Sequence, residues 1–483
     1  MFYYATNGPS WKHRTYWLTG QHECGWQFVI CSDIEEHANT TSHIATSDAA
    51  AEETNDAFLN AVDADLGTGH IVTGLQLYNN SIQGILPTEL TTAVPYLMTL
   101  DLGNNFLQGT LQKYGQLVHL RTLFLNSNNF TGSIPHDLIS GLSRLKTLAI
   151  ADNKVTGQIP TEMFEGLVSL ERLNLGGNQL TGPLPDIFDR LAMLQEVSLG
   201  ENYLSGTIPP SLLGSAGRPS LMTKFDLHGN QFTGQLPAAT NAPELKFLYL
   251  YDNKLQGTIP GDLLCQASNT LADVRLSNNS FSGRIPSLSC TMEVQLLSLA
   301  SNELTGPIPS SLGDVLPRVR EIHLFENMLT STIPDSLFNP PNLTALLLED
   351  NGLTGSITET MFNSANKLEL FYASANMLSG NIDAIAAATS LVKLRLEYNA
   401  FTGTVPFMNS PKLQLFYAYN NSLTGILRAD TYGPSIRKLK LSNITLSGKI
   451  MLGAAGSLEV LSLNGNAFTG NIPIEMSEMK NLK

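Results

Sequence analysis

Short apolar alternations recur down this chain at nearly even intervals, and the copy from Leu170 to Pro185, LERLNLGGNQLTGPLP, shows the unit most plainly. Its pattern is LxxLxLxxNxLxGxxP. The asparagine at Asn178 recurs as Asn80, Asn105, Asn128, Asn153, Asn202, Asn230, Asn253, Asn279, Asn302, Asn327, Asn351, Asn376, Asn399, Asn421 and Asn466. Ile444 stands in that slot in one further copy, making seventeen copies at a mean spacing of about 24 residues. In Leu173-Asn174-Leu175 the alternation has period two, so both leucines face one side of a short strand and Asn174 the other. One strand per copy predicts a parallel sheet.

Such a strand cannot bury its apolar side alone, so neighbouring copies must stack as turns around a shared core. At roughly 4.8 Å per strand, seventeen turns predict an arc on the order of 80 Å along the sheet. The asparagine amide offers donors and an acceptor to backbone groups that the turn leaves unpaired, and stacking lines these amides into a ladder. Ile444 cannot take over those hydrogen bonds, which predicts a local irregularity. Glycines such as Gly157, Gly182 and Gly306 fit a tight bend, and the closing proline stops the strand-like segment.

The segment after the asparagine reads LTGxIP or a near variant, as in VTGQIP at 155–160 and LTGPIP at 304–309. Together with a spacing in the leucine-rich repeat range, it resembles the plant-type leucine-rich repeat. That family includes receptor-like kinase ectodomains, receptor-like proteins and polygalacturonase-inhibiting proteins. The resemblance covers about 69 to 483, with Ser331 replacing a glycine, Thr358 and Asp383 replacing prolines, and Ile444 replacing the asparagine. It implies an α/β repeat fold of about 17 turns: a right-handed solenoid with a parallel sheet on the concave face and a second short strand near the GxIP segment. Function in that family is recognition, on the concave or lateral face. The opening FYYATNGPSW, then WLTG and ECGWQFVIC, resembles the N-terminal cap of extracellular leucine-rich repeat proteins, which implies a Cys24–Cys31 disulfide. Trp11, Trp17 and Trp26 all fall there and read as a plug for the open end of the core.

The expected organisation is a cap at 1–32, an acidic insertion loop at 33–68 and a solenoid at 69–483 that is cut short at its C-terminal end. Net charge is −14, but residues 33 to 66 hold nine acids and no Lys or Arg. The acidity is therefore local. His37 and His43 beside these carboxylates match no metal-ligand spacing, so the segment reads as a solvated loop. No basic stripe suits nucleic acid. No window of 18 or more uninterrupted apolar residues predicts a membrane span, and no signal peptide is visible at Met1.

Cys265 and Cys290 lie one period apart at equivalent places on adjacent turns, a spacing that fits either a disulfide or a pair of buried thiols. Locally pairing cysteines favour an oxidising compartment. Seven sequons, at Asn39, Asn79, Asn129, Asn278, Asn342, Asn420 and Asn443, are candidate glycosylation sites. This composition yields about as many by chance.

The pleat puts residues between and after the paired leucines on the concave face. In early turns these are small or polar, such as Gly176, Gly177, Ser198 and Gly200; from Phe247, Tyr249 and Tyr251 the face changes. Candidate ligand-binding residues are His323, Phe325, Leu347, Tyr372, Arg395, Tyr398, Tyr417 and Tyr419, with Lys438 and Lys440 beyond. Phe325, Leu347, Tyr372, Arg395 and Tyr417 are expected to form one column. Exposed aromatics beside Arg suit recognition, although Tyr and Phe also favour strands. Phe371 with Ala373, and Phe416 with Ala418, exchange large and small residues at core positions. No catalytic motif appears, and His228 near Asp226 reads as a solvated charge pair.

These features predict a non-catalytic recognition module, extracellular or membrane-anchored facing outside, that binds a peptide, protein or glycan ligand, with a co-receptor as a candidate second partner and no cofactor, metal or nucleic acid. The alternative is a soluble inhibitor of a secreted glycan-cleaving hydrolase. A third reading, an ice-binding threonine ladder at Thr131, Thr156, Thr181 and Thr233, coincides with the LTG motif and reads as structural.

Overall fold

The computed structural model describes residues 7–10, 12, 29–33, 70–214, 219–237, 241–408, 410–428, 432–452 and 456–483. Trp11, Trp17, Cys24, Trp26, His37, Asn39, His43 and the expected acidic loop from residue 34 onward lie outside the described residues. The chain divides into two compact units, residues 1–214 with 220–230 and residues 215–219 with 231–483.

Each unit is built on a parallel sheet. The first has seven parallel strands, from His70–Gln76 to Lys224–Asp226, and Val29–Asp33 pairs antiparallel along the edge of the first of them. The second unit has ten, from Phe247–Tyr249 to Val460–Ser462, so every one of the seventeen copies contributes a strand. Most are three residues long, with the middle residue in the core, as Leu173, Leu248, Leu346 and Phe371 are. The flanking residues point to the other face. Phe371, Ala373, Phe416 and Ala418 are all fully buried, so the large-for-small exchange is packing.

The asparagine ladder ties each turn to the next. Asn376 Oδ1 accepts from the Leu353 amide on the preceding turn at 3.0 Å, while Nδ2 donates to the carbonyls of Leu348, Ala373 and Ser374. The same acceptor bond runs from Ile82–Asn105 to Phe401–Asn421 and resumes at Leu446–Asn466. It misses at Leu423, whose partner slot holds Ile444, only 3% exposed. The strands on either side of that gap still pair, Thr424–Ile426 with Thr445–Gly448. A separate irregularity lies one joint earlier, in the second short strand of each turn. In the second unit these strands pair in series up to Ala400–Phe401, then a single bridge, Thr404 to Thr424, separates them from Thr424–Ile426, Thr445–Gly448 and Ala467–Phe468.

Just before each ladder position the backbone turns left-handed, at Asn79, Asp252, Asn278, Glu326, Tyr398, Asn420 and Asn443 among others. Asn and Gly enter that region most readily. Ser331 holds φ 72° where the other copies place glycine.

Helix is slight. Leu90–Ala93, Gly261–Gln266 and Glu359–Ser364 are α-helical, and several other turns carry 3-10 segments such as Asp335–Phe338. With two strand segments in each copy, few residues remain for a longer helix. Cys265 and Cys290 form a disulfide across adjacent turns with Cα atoms 5.6 Å apart. Cys31 is disulfide-bonded as well.

Candidate functional site

The strand ladders of the second unit place residues that follow the first leucine of each copy in one row: His323, Leu347, Tyr372, Arg395, Tyr417 and Lys440. Residues two further on form a second row. Backbone hydrogen bonds from Glu326, Asp350, Ala375 and Tyr398 to Glu349, Ser374, Glu397 and Tyr419 keep that row in register. Phe325 follows the second leucine of its copy, so it stands in this row and does not share the row of Leu347. The column expected from the sequence therefore begins at His323. A shift of two positions keeps a residue on the same face but moves it one pleat along.

Aromatic and charged groups interlock across the turns. The Arg395 guanidinium stands 5.5 Å from the centre of the Tyr372 ring, and the Lys440 ammonium 4.7 Å from that of Tyr417. Tyr419 meets Tyr398 edge-on at 5.3 Å and Tyr417 at 6.3 Å. Tyr398 occupies the left-handed corner at φ 57° and is 55% exposed. A bulky residue is uncommon there, and strain of this kind gathers where a side chain must be displayed. His323 lies 3.1 Å from Glu321 and 6.4 Å from the Phe325 ring. Burial holds its imidazole below the usual range against the opposing pull of Glu321.

Two acids complete the site. Arg395 donates from Nε and Nη2 to Oε1 of Glu397, with the Nε bond at 2.8 Å. The Glu397 side chain is only 1% exposed, and its Oε2 has no hydrogen-bond partner. Oε2 of Glu349 is likewise buried without one. Burial pushes the Glu349 carboxyl up to about 7, with Asp350 and Glu397 adding to the rise and Arg395 opposing it. The sequence reading singled out the aromatics and Arg395 but passed over both acids. The available signal was an acid directly after the second leucine, as in LLLED and LRLEY.

A smaller group of the same kind lies nearer the start of this unit. Tyr249 donates to Asp273, Arg275 binds Asp273 through two nitrogens, and its guanidinium stands 5.2 Å from the Tyr249 ring centre. In the first unit His228 stands 2.6 Å from Asp226 and 3.4 Å from Glu201. No group of His, Cys, Asp and Glu able to hold a metal occurs among the described residues. Of the sequons, Asn79, Asn278, Asn420 and Asn443 sit at left-handed corners, and Asn129 opens a strand. Asn342 accepts from Lys367 at 2.7 Å.

The leucine rich repeat family profile matches residues 118–180 and 143–204, and a second leucine rich repeat profile matches 244–265 and 457–479. Pollen receptor-like kinase 1 of Arabidopsis thaliana is 37% identical over 77 residues, covering 16% of this chain and 12% of that protein. This chain thus matches a small part of that curated relative. Among solved structures, the plant peptide hormone receptor RGFR1 in complex with RGF2 is 30% identical with a TM-score of 0.74, covering 84% of this chain and 69% of that one. The Arabidopsis receptor kinase HAESA, solved with the peptide hormone IDA and the co-receptor SERK1, is 27% identical with a TM-score of 0.71, covering 84% and 76%.

Proposed function

This chain belongs to the plant-type leucine-rich repeat family, and on that premise we propose that it is the ligand-binding part of a receptor-like protein, taking a peptide between His323 and Tyr419. The observation that carries this reading is the strip itself. Tyr372, Arg395, Tyr398, Tyr417 and Tyr419 occupy consecutive turns of one open face, their side chains half-buried or exposed and locked by their neighbours. Rigid rings of this kind offer contact area at little entropic loss. A peptide laid across the strands advances roughly 4.8 Å per turn and 3.3 Å per residue, so four turns accommodate about six extended residues.

The likeness to a peptide hormone receptor, and to HAESA with its peptide and co-receptor, supports a peptide or protein ligand over a glycan. In this reading the chain is non-catalytic, works outside the cell and is open to a co-receptor as a second partner. No helix among the described residues is long and apolar enough to cross a membrane. Nothing in the geometry favours the inhibitor reading over this one.

The test is to pan random twelve-residue peptides against the full chain, then measure the selected peptides on a Tyr372→Ala, Tyr417→Ala variant. The expected result is affinity lower by about tenfold or more with an unchanged melting temperature. Equal affinity, or no peptide selected at all, sinks the reading.

A further inference from the structure

The second row of the open face holds two acids, and one guanidinium stands beside them in the first row. Glu349 and Glu397 flank Ser374 on alternate turns, and Arg395 binds only Oε1 of Glu397. Oε2 of Glu397 and Oε2 of Glu349 are both withdrawn from water and without a donor. An acceptor in that condition is costly, and a carboxylate more than most. The charged and titratable groups around Glu349 supply no remedy. His323 on the turn before is turned to Glu321, Glu326 and Asp350 are acids, and Arg395 is taken by Glu397. Tyr372, on the turn after, forms no hydrogen bond to either carboxylate.

We infer that the Glu349–Ser374–Glu397 row is a subsite for a positively charged side chain of the bound peptide, a lysine ammonium or an arginine guanidinium, which donates to the two unpartnered carboxylate oxygens. This deepens the peptide-binding reading and rests on it. Arg395 is 37% exposed and Tyr372 stands partly in solvent, so the groups beside the acids can shift rotamer to admit the cation. An anionic ligand group gains nothing at this row, because the guanidinium beside it is already neutralised by Glu397.

Charge coupling follows. The burial that keeps Glu349 protonated near neutral pH is offset when a cation arrives, so binding releases a proton and tightens as pH rises.

The experiment uses peptides panned from the random library on the full chain at pH 7.5. A lysine or arginine should recur among them, and its replacement by norleucine should weaken binding about tenfold. Glu349→Gln should weaken the parent peptide by a similar factor and leave the norleucine peptide unaffected. Wild-type affinity should fall by about tenfold between pH 7.5 and 5.5, a dependence that Glu349→Gln removes. Matching melting curves at pH 5.5 check that this variant folds. Selected peptides without a basic residue, or equal binding by wild type and Glu349→Gln, would overturn the subsite while leaving peptide recognition standing. A library that yields no binder overturns both.

Discussion

Arg395 gives both of its bonded nitrogens to a single oxygen of Glu397, two residues on, and leaves the second oxygen of that carboxylate without a partner. The pair is neither a surface ion pair nor a fully satisfied buried one. It sets Arg395 against the Tyr372 ring, at the centre of the strip proposed to take a peptide.

Replacing Arg395 by Met should therefore strand a buried carboxylate and lower stability by about 3 kcal/mol. Adding Glu397→Leu to that background should recover most of the loss, because two apolar groups leave no charge uncompensated. Urea denaturation of both single variants and the double variant gives the coupling directly. Additive losses would show that the pair does not act as a unit.

Glu349 makes stability depend on pH. Its folded carboxyl holds a proton up to about 7, against 4.5 ordinarily, so the folded chain binds that proton more tightly than the unfolded one. Stability from this group is therefore fully present below about 4.5 and is lost as pH rises toward 7. Discounted for partial solvent exposure, the loss is about 1–2 kcal/mol. Urea midpoints should fall between pH 5 and 7.5 in the wild type, and the Glu349→Gln chain should show a correspondingly flatter profile.

Ser331→Gly should stabilise the chain by about 1 kcal/mol, since a residue with a Cβ is strained in the left-handed region and glycine is not. A rise of a degree or more in melting temperature is the expected outcome. No change would mean that the serine makes a compensating contact.

Asn376→Ala should lower stability by about 2–3 kcal/mol, because it leaves the Leu353 amide and the carbonyls of Leu348, Ala373 and Ser374 short of partners. Denaturant unfolding checks this. The adjacent Met377→Ala, at an exposed position, should change little.

Much of this was legible in the sequence because the repeat is a physical period. The alternation around Leu173 fixes which side chains enter the core, and the asparagine slot fixes the ladder, down to the gap at Ile444. The rows were harder to read. Whether Phe325 or His323 stands beside Leu347 depends on which leucine of the pair each follows, and apolar periodicity treats the two positions alike. Glu349 and Glu397 were missed for a related reason: a single strand shows them as exposed-face acids, and only neighbours on adjoining turns bury them. The corner was legible but unread. Asn79, Asn278, Asn420 and Asn443 precede ladder positions where the backbone is left-handed, a conformation that asparagine favours. Four of the seven sequons thus follow from backbone geometry and carry little information about glycosylation.

The interruption between Phe401 and Thr424 has a mechanical meaning. Elsewhere in the second unit each turn is stitched to the next by two strand ladders, whereas here the outer ladder is reduced to one bridge and the Asn421 bond to Phe401 is left to support the inner ladder. At the joint that follows, both ladders are kept but the asparagine bond to Leu423 is missing. Because a solenoid is coupled only between nearest neighbours, its strength under load is that of its weakest joint. Pulled from the C-terminal end, this unit should yield first at that seam and release the turns beyond it as one block.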